Sequence, residues 1–245
     1  MIKSYIKIAW RSMMKNKFFS IVNIFGLSVG LTCCMLIALY LHHETTYDSY
    51  HKNINNLYQV GTTSITKGVK PEKSPYTSPP VAAALKQEYP EIAECTRLLN
   101  LFTDKENLVQ YTPSNGDKKS FLESHGFLAD ASFFKMFDYD FIEGNSNALN
   151  EPNTAVLSEA MVKKIFGNES PINKILHVTS NMNGDNDYKI TGVFRPKAMP
   201  SHIDGNFFLS FAGGGMEKYI QRNSDFARNN MFFTYVLLKP GTSAD

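Results

Sequence analysis

An uncharged run decides how this chain folds: residues 18–41 read FFSIVNIFGLSVGLTCCMLIALYL and contain no acidic or basic side chain. As a helix, this run is about 36 Å long, enough to cross a hydrocarbon core of about 30 Å. It is longer than the apolar core of a cleavable signal peptide, and it ends in Leu41-His42-His43-Glu44 rather than in a small-residue cleavage site. The sequence therefore predicts one permanent transmembrane helix.

The residues before this run are basic and have a helical pattern of their own. Ile2, Tyr5, Ile6, Ala9 and Met13 recur at helical spacing. The basic residues beside them are Lys3, Lys7, Arg11, Lys15 and Lys17. We expect residues 1–17 to form an amphipathic helix on the cytoplasmic surface and everything after Leu41 to lie outside, since cationic flanks stay inside. A solvated basic tail that merely sets the orientation is the alternative.

Small residues recur every fourth position inside the predicted span. Gly26, Gly30, Cys34 and Ala38 would form one helix face with little side-chain bulk. Such faces let membrane helices pack closely, so the sequence predicts a helix-packing face here. A chance pair of glycines in a lipid-facing helix is the alternative.

Composition excludes two classes of protein. The net charge is +2, but the first seventeen residues hold five of the 25 basic residues, so the remainder has 20 basic against 23 acidic residues. This slightly acidic remainder has no basic field for nucleic acid. Two of the three cysteines lie inside the span and only Cys95 lies beyond it, so no disulfide framework is expected.

The polar stretch after the span contains several histidines but does not match a zinc protease motif. His43-Glu44 would need a second histidine four residues after His43 to match a zinc protease, and Tyr47 stands there. His42, His43 and His51 could still ligate a metal. We instead expect Tyr47 to lie at the membrane interface and the helix to continue outside as a stalk to about residue 51, without a metal.

The remaining sequence alternates short strands and helices, which predicts a βαβ unit followed by hairpins and capped helices. Asp130 is predicted to cap a short helix over residues 131–137, and Ser158 to cap a second one over 159–166 that Gly167 ends. The predicted strands are 57–64, 93–101, 175–180, 188–194 and 232–238, with a helix over 80–88 and a turn at Asn115-Gly116-Asp117.

The sequence matches known catalytic motifs weakly or not at all. Gly213-Gly214-Gly215 is not followed by the Lys-Ser/Thr of a P-loop, so we expect no ATPase site in this chain. Ser201, His202 and Asp204 are neighbours in sequence, whereas a catalytic triad is assembled from separate segments. Turn chemistry explains them better, although an anchored hydrolase stays an alternative. We expect no catalytic residue and no cofactor.

Many short runs along the chain nevertheless carry a family resemblance. The runs are Ile8-Ala9-Trp10-Arg11, residues 15–20, residues 23–31, Glu44 with Tyr47-Asp48 and His51, Pro90-Glu91-Ile92 before Arg97, residues 133–137, Phe141-Ile142-Glu143-Gly144, residues 156–160 through Phe166-Gly167, Pro171-Ile172, Thr191-Gly192-Val193 and Ser201-His202. In order and spacing, over nearly the whole chain, they resemble ABC transporter permeases of the MacB/FtsX type and their MacB-like periplasmic core domain.

This resemblance implies an α+β fold in which the amphipathic helix and one transmembrane helix precede a two-lobed mixed α/β domain. That domain would occupy residues 52–245 on the outer side of the cell inner membrane, with a porter-like βαβ lobe and an inserted second lobe at about 105–185. The resemblance also implies a membrane subunit that is not itself an enzyme. Its expected partners are an ABC ATPase, a second copy or a paired permease half, and a periplasmic adaptor.

The implied function is that of the N-terminal part of a permease that couples ATP hydrolysis by the partner ATPase to substrate export, efflux or extraction in the envelope, a mechanism called mechanotransmission. The family has at least three further spans where this sequence has no second apolar run, so we expect a piece of a longer permease. The alternative function is a single-span sensor or scaffold whose outer domain binds a ligand or partner.

Overall fold

The computed structural model describes residues 2–65, 68, 70–101, 106–113, 116–197, 199 and 201–242. The chain divides into two compact units, residues 1–49 and residues 50–245. In the described residues the helices are α1 (Ile2–Lys15), α2 (Lys17–Thr45), α3 (Val81–Glu88), α4 (Phe133–Met136), α5 (Glu159–Phe166) and α6 (Gly215–Arg222), with a short 3₁₀ turn at Ile54–Asn56.

The first unit consists of α1 and α2, separated by a break at Asn16. Asn16 has φ −111° and ψ 58°, which lie outside the helical region. The Ser20 hydroxyl donates a hydrogen bond to the Met13 carbonyl, 3.2 Å away, and so ties the start of α2 back to the end of α1. Helices α1 and α2 are thus separate elements that meet at Asn16.

The second unit is built on one large mixed sheet. Its strands are β1 (Leu57–Val60), β4 (Ile92–Asn100), β5 (Asn107–Tyr111), β6 (Lys119–Glu123), β7 (Gly126–Ala129), β8 (Asp140–Glu143), β9 (Thr154–Ser158), β10 (Ile175–Ser180), β11 (Gly184–Arg195), β12 (Phe207–Ser210) and β13 (Phe233–Leu238); β2 (Thr62–Ser64) and β3 (Glu72–Ser74) form a separate hairpin. The order in the large sheet is β1-β13-β4-β7-β12-β9-β11-β10-β5-β6. Strand β8 pairs with the last residues of β11, on the edge opposite β9 where β10 pairs with the first residues of β11.

The predicted βαβ unit is confirmed in a split form. β1 and β4 are both antiparallel to β13, so they run parallel to each other with β13 between them, and α3 connects them. Strand β13, distant in sequence, thus completes the unit that begins with β1.

Both faces of the central part of the sheet are buried, which explains why β7 and β12 are apolar at almost every position. In β12, Phe207 and Leu209 face the cluster under α5 and α6, whereas Phe208 faces the cluster beside α4. All four residues of β7 and of β12 are buried. Strands covered on both faces lose the alternation of apolar and polar residues that marks a half-exposed strand.

Helix α5 forms as its sequence predicts. The Ser158 hydroxyl accepts a hydrogen bond from the backbone N–H of Met161, 3.3 Å away, and so caps a helix of eight residues. Gly167 ends the helix with φ +67°, a conformation that a side chain disfavours. The buried side of α5 consists of Met161, Ile165 and Phe166.

The predicted cap by Asp130 is wrong. The Asp130 carboxylate accepts two hydrogen bonds from the Arg97 guanidinium and one from the Arg97 backbone N–H, all between 2.8 and 2.9 Å. Helix α4 starts later than predicted, after Ser132, and spans four residues. A bidentate contact with a residue 33 positions earlier thus takes precedence over the local cap.

The mixed α+β fold class with an apolar N-terminal helix is confirmed. Strand β10 matches its prediction residue for residue, and β11 returns antiparallel to it as the expected hairpin. Helix α2 ends at Thr45, short of the stalk predicted to reach about residue 51. The inserted lobe at about 105–185 stays a prediction: β5, β6 and β10 lie at one end of the sheet, whereas β7 and β9 lie in its middle. Asn115 lies outside the described residues.

Candidate functional site

The predicted membrane-orienting residues all lie on the first unit with exposed side chains. Lys3, Lys7, Arg11 and Lys15 belong to α1, and Lys17 is the first residue of α2. The large apolar side chains of α1 are exposed as well: 69 % of Tyr5 and 65 % of Trp10 are accessible. An exposed apolar and cationic helix of this kind is typical of one that lies on an anionic lipid surface.

Helix α2 is long and apolar enough to cross a membrane, and within the described residues it alone meets that test. None of its residues is buried by the protein. Gly26 and Gly30 have open space where a Cβ would project, and Cys34 and Ala38 are exposed. The packing role of these four residues stays a prediction, because no helix among the described residues covers them.

The outer unit begins with a close contact that we call the junction clasp, formed by His51, Lys52 and Asp138. His51 is 3 % exposed, and its Nδ1 accepts a hydrogen bond from the Asp138 backbone N–H at 3.0 Å. The Asp138 carboxylate in turn accepts a hydrogen bond from the Lys52 backbone N–H at 2.7 Å. The His51 ring packs edge-on against Phe137, with centroids 5.1 Å apart. The clasp therefore fixes the start of the outer domain to the segment after α4.

Sequence reasoning missed this role of His51. The sequence pattern indicates His51 only as a candidate metal ligand, and no pattern around Asp138 identifies Asp138 as the partner of His51. His42 and His43 belong to the last turn of α2, in the other unit. No group of three His, Cys, Asp or Glu side chains suited to a metal occurs among the residues that the structure describes.

The three residues of the hydrolase alternative have separate roles. The Ser201 hydroxyl accepts a hydrogen bond from the Ile203 backbone N–H at 3.1 Å, as in a local turn. His202 Nε2 lies 2.7 Å from the Tyr235 hydroxyl. Asp204 is exposed and lies 3.3 Å from His125 Nδ1. These three contacts therefore hold Ser201, His202 and Asp204 in separate structural roles.

The three glycines before α6 serve the fold rather than a phosphate. The Met216 backbone N–H donates to the Asn183 side-chain oxygen at 2.8 Å, and the Gly213 N–H donates to a Glu217 carboxylate oxygen at 2.7 Å. These amides are occupied, and the nearby carboxylate would repel an anion. The geometry does not resemble the phosphate cradle of a P-loop.

A hollow of about 430 Å³ beside α5 and β8 carries carboxylates that are already paired. Arg195 donates to Glu159 at 2.9 Å, and Lys174 donates to Glu169 at 2.6 Å. These hydrogen bonds lower the pKa of both carboxyl groups, so both are ionised at neutral pH. A general acid needs a raised carboxyl pKa, and this pair has the opposite.

Two groups of the outer domain have raised pKa values because of burial. Burial raises the pKa of the Cys95 thiol to about 11 and that of the Tyr188 hydroxyl to about 12. Both groups stay protonated at neutral pH, and a thiol is a poor nucleophile in that form. Neither group is therefore activated as a nucleophile at neutral pH.

Comparison with known proteins adds a family to this geometry. A family model described as the MacB-like periplasmic core domain matches residues 20–245, from within α2 to the end of the chain. No curated protein sequence matches the chain significantly.

One solved structure shares the fold at low sequence identity, and two others show a weaker likeness. A domain of a protein assigned as a permease from Porphyromonas gingivalis is 23 % identical with a TM-score of 0.58, over 79 % of this chain and 77 % of that one. The periplasmic region of MacB from Actinobacillus actinomycetemcomitans is 13 % identical with a TM-score of 0.48, over 79 % and 81 %. The extracellular domain of the ABC-type transporter YknZ from Gram-positive bacteria is 13 % identical with a TM-score of 0.42, over 69 % and 76 %.

Proposed function

The chain belongs to the MacB-like periplasmic core domain family, and we propose that it acts in an ABC transporter permease as the part that carries ATP-driven movement to the outer face of the membrane. A partner ATPase on the cytoplasmic side would hydrolyse ATP, and the outer domain would respond by changing its position on a substrate in the envelope. The observation that carries this proposal is the continuous family match from α2 through the outer domain.

The anchor has a defined place in this proposal. A long apolar helix followed by a domain of this family fits an inner-membrane protein. The basic residues of α1 would hold the N-terminus in the cytoplasm, where the partner ATPase works, and the outer domain would lie in the periplasm. The small-residue face of α2 would pack against a second copy or a paired permease half. A periplasmic adaptor would complete the assembly.

The junction clasp is the structural feature that suits this role best. Force that arrives along α2 reaches the outer domain through the segment that contains His51. Because His51 and Lys52 both bond to Asp138, movement of that segment would pull on the residues between α4 and β8 rather than dissipate in a loose linker. The clasp would thus convert a displacement of the chain into a displacement of the sheet.

The test uses the full chain, purified in mild detergent from its native membranes with whatever it holds and placed in lipid nanodiscs. We expect an ABC ATPase to accompany it, ATP hydrolysis to be inhibited by vanadate, and hydrogen exchange near residues 50–60 and 137–143 to differ between the ATP–vanadate and ADP states. Absence of both ATP hydrolysis and the exchange difference would contradict the proposal and favour a sensor or scaffold.

Variants of the clasp separate coupling from hydrolysis. In Asp138→Ala, which loses the acceptor for the Lys52 N–H, we expect ATP hydrolysis to persist while the exchange difference falls by about half or more. Asp138→Asn keeps an acceptor oxygen and should behave like the original protein. Asp204→Ala is the control, because Asp204 is an exposed aspartate of the same domain that contacts His125. An unchanged exchange response in Asp138→Ala would remove the clasp from the mechanism.

A further inference from the structure

A second hollow in the outer domain has the lining of a small-molecule site. It lies between the end of β4, the start of β13 and the turn that joins β10 to β11, and its volume is about 350 Å³. Ligand pockets in proteins usually measure about 300 to 1,000 Å³. We call it the methionine hollow after Met182 and Met231, which line it.

One wall of the methionine hollow is aromatic and rigid. Tyr76 and Phe233 form it, with ring centroids 4.8 Å apart. The backbone behind the two rings is held by Thr77, whose N–H donates to the Phe232 carbonyl at 2.8 Å. The hydroxyls of Thr77 and Thr234 also bond to each other at 2.6 Å, and both residues are completely buried. This wall is therefore formed before any ligand arrives.

The other wall can adapt to a ligand. Met182 and Met231 pack against the main apolar cluster from partly exposed positions, and Leu99, 3 % exposed, lies at the hollow as part of that cluster. Methionine side chains are unbranched and polarisable, so they adjust to apolar and aromatic groups of different shape. Two packed aromatic rings together with two flexible thioethers suit ligands that vary in outline.

The polar groups of the hollow are amides rather than charges. Asn100 and Asn230 line it, and neither carboxamide has a hydrogen-bond partner within the described part of the chain. No acidic or basic side chain lines it among the described residues either. An ionic ligand would lose hydration here without gaining a counter-charge, whereas a neutral ligand with amide or hydroxyl groups could bond to both asparagines.

We propose that the methionine hollow binds a neutral small molecule that has an aromatic or aliphatic body and amide or hydroxyl groups. The ligand body packs between the Tyr76–Phe233 wall and the two methionines, and its polar groups bond to the asparagine carboxamides. This inference goes beyond the coupling role, because the binding requires neither ATP nor a partner ATPase.

The test uses two probes that differ in one charge, N-acetyltryptophanamide and anionic N-acetyltryptophan. The full chain in nanodiscs, with its methionine methyl groups labelled with ¹³C, is titrated with each probe and followed by NMR. We expect the neutral probe to shift the signals of Met182 and Met231 with a Kd of about 0.1 to 1 mM, in line with the affinity of fragments of this size. The anionic probe should bind at least about tenfold more weakly.

Two other methionines serve as internal references. Met161 is 3 % exposed in the core, and Met35 is 58 % exposed on α2, where it reports partitioning of the probe into lipid. The signals of both should stay in place while those of Met182 and Met231 move. Equal shifts at Met35, or equal binding of the two probes, would overturn the proposal.

Substitutions keep the test decisive even if one variant is destabilised. Tyr76→Ala removes one ring of the wall and should weaken the neutral probe about tenfold, whereas Tyr58→Ala should leave its affinity unchanged, since Tyr58 on β1 is similarly exposed and does not line the hollow. Asn230→Leu should weaken it about fivefold through loss of one hydrogen bond. Unchanged affinity in both Tyr76→Ala and Asn230→Leu, with circular dichroism that confirms folding, would contradict the proposal.

Discussion

The two units of this chain treat apolar side chains in opposite ways. In α2 none of the 29 residues is buried by protein, and 69 % of Phe25 is accessible. In the outer domain Phe133, Phe207 and Phe208 are completely buried. The outer domain thus supplies its own apolar environment, whereas the first unit requires one from outside. The difference teaches that one sequence can suit two environments: the unit before residue 50 requires lipid, and the unit after it folds in water.

The largest expected effect is a difference between two phenylalanine-to-alanine substitutions, one in each unit. Phe208→Ala should lower the free energy of unfolding of the outer domain by about 3 to 5 kcal/mol, because Phe208 is completely buried and stacks on Phe133 with centroids 5.0 Å apart. Phe25→Ala should leave that free energy unchanged. Urea unfolding of the full chain, followed by near-ultraviolet circular dichroism, measures both, and equal losses would break the comparison.

The next largest effect is expected from a leucine-to-arginine substitution in each unit. Leu31 on α2 and Leu122 on β6 are almost equally exposed, 56 % and 57 %. Leu31→Arg should make membrane insertion less favourable by about 3 to 4 kcal/mol, whereas Leu122→Arg should change outer-domain stability by less than about 0.5 kcal/mol.

Fractionation of membranes after expression measures this pair. More Leu31→Arg than original protein should appear outside the membrane fraction, while Leu122→Arg should distribute like the original protein. If Leu31→Arg were retained as fully as Leu122→Arg, the two leucines would not face different solvents.

The Arg97–Asp130 contact gives a smaller effect inside the outer domain. The two side chains are 15 % and 22 % exposed, and Arg97 also donates to the Pro79 carbonyl at 2.9 Å. Arg97→Ala should lower the free energy of unfolding by about 2 to 3 kcal/mol, since it leaves Asp130 partly buried without its partner.

The matched control is Arg195→Ala, which removes an equally short contact at the surface. Its partner Glu159 is hydrated, so thermal unfolding should show no measurable change. A loss in Arg195→Ala as large as in Arg97→Ala would mean that burial does not set the strength of these contacts.

Sequence alone predicts the segments whose folding is decided locally. Helix α5 follows from Ser158 and Gly167, and β10 follows from its β-branched residues and the turn behind it. The Asp130 cap failed because Arg97, distant in sequence, binds the same carboxylate. Strands β7 and β12 were not predicted, because four-residue apolar runs that are buried on both faces have no periodicity to distinguish them.

The candidate site was predictable only in its first unit. The basic residues and the apolar run of α1 and α2 can be recognised in the sequence, because a membrane requires a minimum length of apolar helix and basic residues on its cytoplasmic side. The junction clasp could not be predicted, because the donor to His51 is the backbone N–H of Asp138, and every residue other than proline has such a group. The methionine hollow likewise joins residues from positions 76 to 233.

The last expected effect is a pH dependence. Burial raises the pKa of Cys95 from 9.0 to about 11, so the unfolded chain loses its thiol proton at lower pH than the folded one. The contribution of Cys95 to stability is complete below pH 9 and is lost as the pH rises from 9 to about 11. Cys95→Ala should therefore show a shallower fall in the urea midpoint over that range, and an equally steep fall would contradict the assignment.

The central claim is that α2 stays in lipid while the outer domain folds in water. Extraction of membranes with alkaline carbonate, followed by intact mass measurement of the retained chain, tests it most directly. We predict that the full-length chain, with α1 and α2 still attached, remains in the membrane pellet. Release into the supernatant, or a mature chain shortened by the first 40 or so residues, would contradict the account.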